Sequence, residues 1–141
     1  LMLRSPARFQ ETAKKLVELY RANEAAADML IRETVARCWV EAEAYTLETY
    51  RTVSRLLSGG KIGAEASTNK IFWSELDLRM HETALRLLGA RAELLPEAPA
   101  ARGVGDWLDG YLFALSGPIY AGTNEIQRNV IAERILGMPR D

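Results

Sequence analysis

From Glu24 to Leu57 the chain runs without a glycine or a proline, and its apolar side chains return every three or four residues. Ile31, Val35, Cys38, Ala42, Tyr45, Thr49, Val53 and Leu56 fall on one stripe, the spacing of a helix that packs in a bundle. A helix of that length with one apolar side is stable only with other helices against it. Trp39, Leu47 and Tyr50 widen the apolar face, so this helix is expected to touch two neighbours or another subunit. Gly59-Gly60 ends it.

The flanking segments supply the partners. Ser5-Pro6 reads as a cap followed by a first-turn proline, opening a helix from Pro6 to about Ala22 with Phe9, Ala13, Leu16, Val17 and Tyr20 on its packing face. Asn23-Glu24 is a turn or a bend. A turn from Ser58 to Gly63 leads into a third helix, about Ala64 to Leu88. It carries two stripes: Ala64, Ser67, Ile71, Ser74, Leu78, His81, Leu85 and Leu88, then Phe72, Leu76, Met80, Ala84 and Leu87. Apolar on two sides, it is expected at the centre of the bundle. Gly89 ends it, and residues 90–105, rich in Ala, Pro and Gly, read as an exposed loop longer than bundle connections usually are. Asp106 can cap a fourth helix, Trp107 to about Ser116, with Trp107, Leu108, Tyr111, Leu112 and Leu115 as its apolar face. No strand-like alternation and no internal repeat interrupts this series. The expected fold is all-α: residues 1–141 form a single helical domain, an up-and-down four-helix bundle whose fourth helix breaks at Gly117-Pro118 into a short fifth.

Composition removes several function classes. The 141 residues carry 18 basic and 19 acidic side chains, a formal net charge of −1. No basic field draws in nucleic acid or an anionic membrane, and neither is expected as a partner. One cysteine and one histidine leave no disulfide, no multi-histidine metal site and no Ser-His-Asp or Cys-His set. Cys38 reads as a small buried apolar residue and His81 as a hydrogen-bonded structural one. Carboxylate pairs such as Glu41/Glu43 and Glu75/Asp77 lie two apart on a helix, do not face together, and read as solvated surface. There is no apolar run of membrane-spanning length, and the N-terminal apolar stretch is short for a signal peptide, so a cytoplasmic location is expected. Beginning at Leu1 rather than Met, the chain reads as a processed product or a piece of a longer one.

The stretch from Gly117 to Arg140 remains: GPIYAGTNEIQRNVIAERILGMPR. Gly117-Pro118 breaks what precedes it, and Thr123 or Asn124 can cap a new helix with Glu125 in its first turn. Ile126, Val130, Ile131 and Ile135 recur on one face, and Gly137 and Pro139 close it. The loop from Ile119 to Asn124 is a plain capping turn on one reading. On another it presents backbone N–H groups at a helix N-terminus to an anion or a polarised carbonyl.

Tyr-Ala-Gly-Thr-Asn-Glu-Ile-Gln-Arg-Asn followed by Ile-Ala-Glu-Arg-Ile-Leu-Gly resembles the C-terminal signature of the acyl-CoA dehydrogenase family, over Ile119 to Pro139. Asn69-Lys70-Ile71-Phe72-Trp73-Ser74-Glu75 is similar to the start of that family's third C-terminal helix, and Trp107 through Leu115 to the helix before the signature. The resemblance implies the family's C-terminal four-helix domain, without the N-terminal helical and middle β-domains. It implies FAD as cofactor, an acyl-CoA as substrate, and assembly as a homo-oligomer or with a related dehydrogenase subunit. The family often has a glutamate base after the signature tyrosine. Here that position is Ala121, so no catalytic residue is expected in the chain, and the base would come from elsewhere, including a partner subunit. By the family pattern Tyr120, Ala121 and Gly122 match substrate-binding positions, Ala121 through its backbone N–H. Thr123 and Glu125 match positions that touch FAD. The glycine-rich turn after the third helix, which contacts a neighbouring subunit's flavin in relatives, reads Leu88-Gly89-Ala90-Arg91 and departs from the pattern. A non-catalytic assembly module is the alternative to a half-site of a dehydrogenase. An unrelated helical adaptor with a chance signature is the third.

Overall fold

The computed structural model describes residues 4–23, 28–95, 97–101 and 106–140. Helices are α1 (Pro6–Ala22), α2 (Met29–Leu57), α3 (Ala66–Leu88), α4 (Asp106–Ala114) and α5 (Asn124–Arg134), with 3-10 turns at Gly89–Glu93 and Pro99–Ala101. No strand occurs among the described residues. The all-α bundle expected from the apolar spacing is therefore present.

Boundaries move for identifiable reasons. Pro6 starts α1 as expected, but the Ser5 side chain makes no capping bond. Residues 24–27, where α2 was expected to begin, lie outside the described residues. The described helix begins at Met29 because Asp28 accepts the Ile31 N–H at 2.7 Å. At the other end of the following turn, Ala66, Ser67 and Thr68 donate to Gly63, Ala64 and Glu65, each three residues back. That tighter winding places the start of α3 at Ala66 rather than Ala64.

α3 is the central element, packed against α1, α2, α4 and α5. An aromatic chain runs through the core. Phe9 meets Tyr45 edge-on at 5.0 Å and Trp73 at 6.4 Å, while Tyr45 stacks on Phe72 at 6.2 Å. Trp73 lay on neither of the two stripes assigned to this helix, yet it is the largest fully buried side chain. The stripes also missed Asn69, Lys70 and Asp77, all buried. Asp77 corrects the expectation of a solvated Glu75/Asp77 pair. Two positions on a helix differ by about 200°, so Glu75 turns to Arg128 of α5 and Asp77 turns inward to Arg8 of α1 at 2.9 Å.

Three apolar faces are not covered by the described residues. The α2 stripe is buried from Ile31 to Thr49, but Val53 and Leu56 are exposed, because α2, at 29 residues, outruns the 17 of α1. Leu112 and Leu115 of the expected α4 face are exposed, and α4 ends at Ala114, before the expected Ser116. In α5, expected to bury Ile126 and Ile135, both are exposed and only Asn124 is buried.

Candidate functional site

Between α4 and α5 the chain first winds through short turns, with Gly117 N–H donating to Ala114 O at 2.9 Å and Tyr120 N–H to Ser116 O at 3.0 Å. A loop then closes on itself: Asn124 N–H donates to Pro118 O at 2.9 Å. Its tip takes two consecutive left-handed residues, Ala121 (φ 56) and Gly122 (φ 89). Glycine adopts that conformation freely and alanine does not. Thr123 is the cap of α5, its hydroxyl oxygen accepting the Ile126 N–H at 3.3 Å. Gln127 reaches back to the Ala121 carbonyl at 3.3 Å and ties the tip to the helix.

Asn124, the other capping candidate, turns inward instead. Its Oδ1 accepts from Lys70 Nζ at 2.7 Å and its Nδ2 donates to Ser74 Oγ at 3.1 Å. Lys70 also donates to Pro118 O at 3.1 Å, and Arg128 pairs with Glu75 beside the same helix face. The loop is thus fastened to α3 by buried polar bonds. The sequence reading links none of Lys70, Ser74 and Glu75 to the loop. The signal for them was the Asn69–Glu75 run, which contains Lys70, Ser74 and Glu75.

The residues matched to substrate and cofactor positions lie in this loop and the first turn of α5, and they differ in exposure. Tyr120 is half-buried, 5.9 Å from Trp73. Its hydroxyl is partnered by the Arg4 guanidinium, which lies 5.3 Å from the centres of both rings. Ala121, Gly122 and Glu125 are exposed, and Thr123 is half-buried. Glu125 is held below the usual carboxylate range by its own backbone N–H and the Thr123 hydroxyl, with Arg128 and Lys70 adding to the effect. Its carboxylate is therefore an acceptor at neutral pH, available to hydroxyl or N–H donors. The Ala121 side chain can neither take nor give a proton.

His81 lies about two turns of α3 beyond Ser74. Its Nδ1 is 2.8 Å from the Asp77 carbonyl and 3.4 Å from the Asp77 carboxylate, and its ring meets Trp107 at 5.5 Å. Burial raises the Asp77 pKa, while Arg8, His81 and Arg4 pull it down. This cluster joins α1, α3 and α4. Among the described residues no group of three His, Cys, Asp or Glu side chains could hold a metal. A groove of about 330 Å³ between α2 and α3 is lined by Tyr45, Asn69 and Phe72 among others, and by no residue of the 118–124 loop.

Two predictions arise here. Ala121→Gly is expected to stabilise the domain by about 1 kcal/mol, because it relieves a left-handed alanine, and a urea denaturation midpoint reads it directly. Cys38 is fully buried and its thiol is pushed up to about 11 by burial, with Arg79 opposing and Glu41 adding. It is expected to resist a thiol reagent at pH 8 in the folded domain and to react at once in denaturant. Fast labelling without denaturant would show that α1 and α3 do not seal it.

A family model described as "Acyl-CoA dehydrogenase, C-terminal domain" matches residues 2–136. Acyl-CoA dehydrogenase IpdE1 of Mycobacterium tuberculosis is 34% identical over 126 residues, 89% of this chain and 31% of that protein. IpdE1 of Mycolicibacterium smegmatis is 32% identical over 134 residues, 95% of this chain and 32% of that protein. The chain thus spans about a third of the length of these relatives. Among solved structures, the Tcur3481-Tcur3483 steroid ACAD G363A variant superposes with a TM-score of 0.81 at 25% identity, covering 96% of this chain and 36% of that one. The ChsE4-ChsE5 complex from Mycobacterium tuberculosis gives 0.76 at 27% identity, covering 99% and 37%. No helix among the described residues is long and apolar enough to cross a membrane. With the signature loop and the helix that anchors it both inside the matched residues 2–136, the chain belongs to the acyl-CoA dehydrogenase family and is its C-terminal helical domain.

Proposed function

We propose that this domain forms part of the FAD and acyl-CoA site of a dehydrogenase that takes hydrogen from the α- and β-carbons of an acyl-CoA thioester. In this reading it works as one half of a hetero-oligomer. The observation that carries the proposal is the 118–124 loop: signature residues held in a left-handed turn by buried bonds to α3, with alanine where a base would stand. The loop tip offers Ala121 and Gly122 backbone groups to a thioester oxygen, and Glu125 offers an ionised acceptor to flavin or ribityl donors. When bound, FAD supplies the hydride acceptor. The base is a carboxylate outside this chain, on a related subunit. The likeness to a steroid ACAD favours a steroid-type CoA thioester as the substrate class, and the likeness to the ChsE4-ChsE5 complex favours a paired-subunit assembly.

The test is to produce the full-length protein carrying this domain with and without a related dehydrogenase subunit. Flavin content and oxidation of a steroid-type CoA thioester are then measured. The expected result is about one FAD retained per site and turnover only in the paired assembly. The isolated 141-residue chain is expected to show no dehydrogenase activity with added FAD. Turnover by that chain alone would falsify the assignment of the base to a partner.

The second reading is a non-catalytic assembly subunit. The uncovered apolar residues of α2, α4 and α5 favour it, as they call for a cover that the described residues do not supply. Paired assemblies that form without flavin and stay inactive on every thioester would select it.

A further inference from the structure

We propose that Lys70 is a positioning residue for the thioester site, closing the neck of the 118–124 loop and setting a fixed positive charge beneath its tip. This rests on the reading above that the loop meets an acyl thioester. The two ends of the loop converge on one ammonium. Pro118 O accepts from Asn124 N–H at 2.9 Å and from Lys70 Nζ at 3.1 Å, and the same Nζ donates to Asn124 Oδ1 at 2.7 Å. Ser74 Oγ shares Asn124 from the next turn of α3. Lys70 is 3% exposed, and among the described residues no carboxylate forms an ion pair with it.

For folding alone a charge here is a poor choice. Burial penalises the ammonium, which lowers its pKa, with Glu125 and Glu75 opposing. It also sits beside the first residue of α5, at the positive end of that helix dipole. An uncharged side chain of similar length would fill the same space without that penalty. What the charge adds is a field at the loop that favours negative charge. Removal of the α-proton creates such charge. The proton passes to the carboxylate base, the C–H electron pair moves into the thioester, and the carbonyl oxygen becomes an enolate oxygen. No electrons leave the substrate at that step. A loop held from behind by a buried cation, with backbone donors at its tip, stabilises the enolate relative to the neutral thioester.

The experiment uses the full-length flavin-loaded assembly and a CoA thioester with sulfur in place of its β-carbon, whose enolate forms without going on to oxidation. The pH midpoint of enolate formation is read from the long-wavelength absorbance it produces beside oxidised flavin. Lys70→Met and Lys70→Gln are each expected to raise the midpoint by about one unit, a tenfold loss of enolate stabilisation. Lys70→Gln keeps a donor and drops the charge, so it serves where Lys70→Met disturbs the fold. Variants that keep the wild-type midpoint, with or without lower thermal stability, would reduce Lys70 to a structural tie and overturn the proposal alone. A wild-type assembly that binds neither flavin nor thioester would overturn the reading of the loop, and this proposal with it.

Discussion

Trp73→Ala is expected to remove about 3–5 kcal/mol of folding stability and to loosen the signature loop in the same step. The indole is 1% exposed at the centre of α3. It packs on Phe9 and on Tyr120, and the Arg4 guanidinium lies over it at 5.3 Å. Gly117 also packs closely enough that a Cβ there would stand 3.5 Å from the indole edge. Truncation therefore leaves a cavity bordered by α1 and by the approach to the loop, two walls that cannot both collapse inward without moving Tyr120. The indole Nε1 has no hydrogen-bond partner among the described residues, so truncation removes ring contacts and no hydrogen bond. Trp73→Phe is accordingly expected to lose well under half as much. Urea denaturation gives the stability, and protease cutting within 118–124 under native conditions reports the loop. A loss below about 1 kcal/mol, or a stable but uncut loop, would mean that Trp73 does not couple core to site.

The helices were legible because a period of three to four survives any detail of packing. What the period cannot say is what covers a face. Ile126 and Ile135 recur at helical spacing and still lie exposed, since no other element among the described residues covers them. Val53 and Leu56 extend the α2 stripe beyond the end of α1 for the same reason. Buried charge was illegible for a different cause. Asp77 reads as a surface residue and Lys70 carries no sign of burial because their partners, Arg8 and Asn124, are 69 and 54 positions away, and no local pattern registers them. The site divides along the same line. Gly122 and Thr123 announce a turn and a cap by residue type. The left-handed Ala121 gives no such sign, because alanine has no preference for that region and is carried there by Gly122, Gln127 and the closure at Pro118. Tyr120 was assigned to substrate by resemblance, and the structure adds the Arg4 partner that holds its hydroxyl.

Gly110→Ala is expected to cost about 3 kcal/mol, the upper range for overpacking, although alanine in an unobstructed helix would gain about 1 kcal/mol. The sign decides between the two effects. A Cβ at position 110 would stand 2.4 Å from His81 Nε2 and 2.5 Å from its Cδ2. The imidazole cannot swing clear. It is 7% exposed, its Nδ1 is 2.8 Å from the Asp77 carbonyl, and Trp107 closes its edge at 5.5 Å. The strain therefore moves α4 away from α3, and with it Trp107, which is buried against the same surface. α4 leads through the 115–120 turns into the signature loop, so the displacement reaches Tyr120 as well. A double-mutant cycle isolates the contact. His81→Ala alone opens a cavity, and Gly110→Ala added to it fills space instead of clashing. The double variant is expected to lose at least about 1 kcal/mol less than the sum of the single losses. Additive losses would place the effect in the helix backbone and detach His81 from the docking of α4.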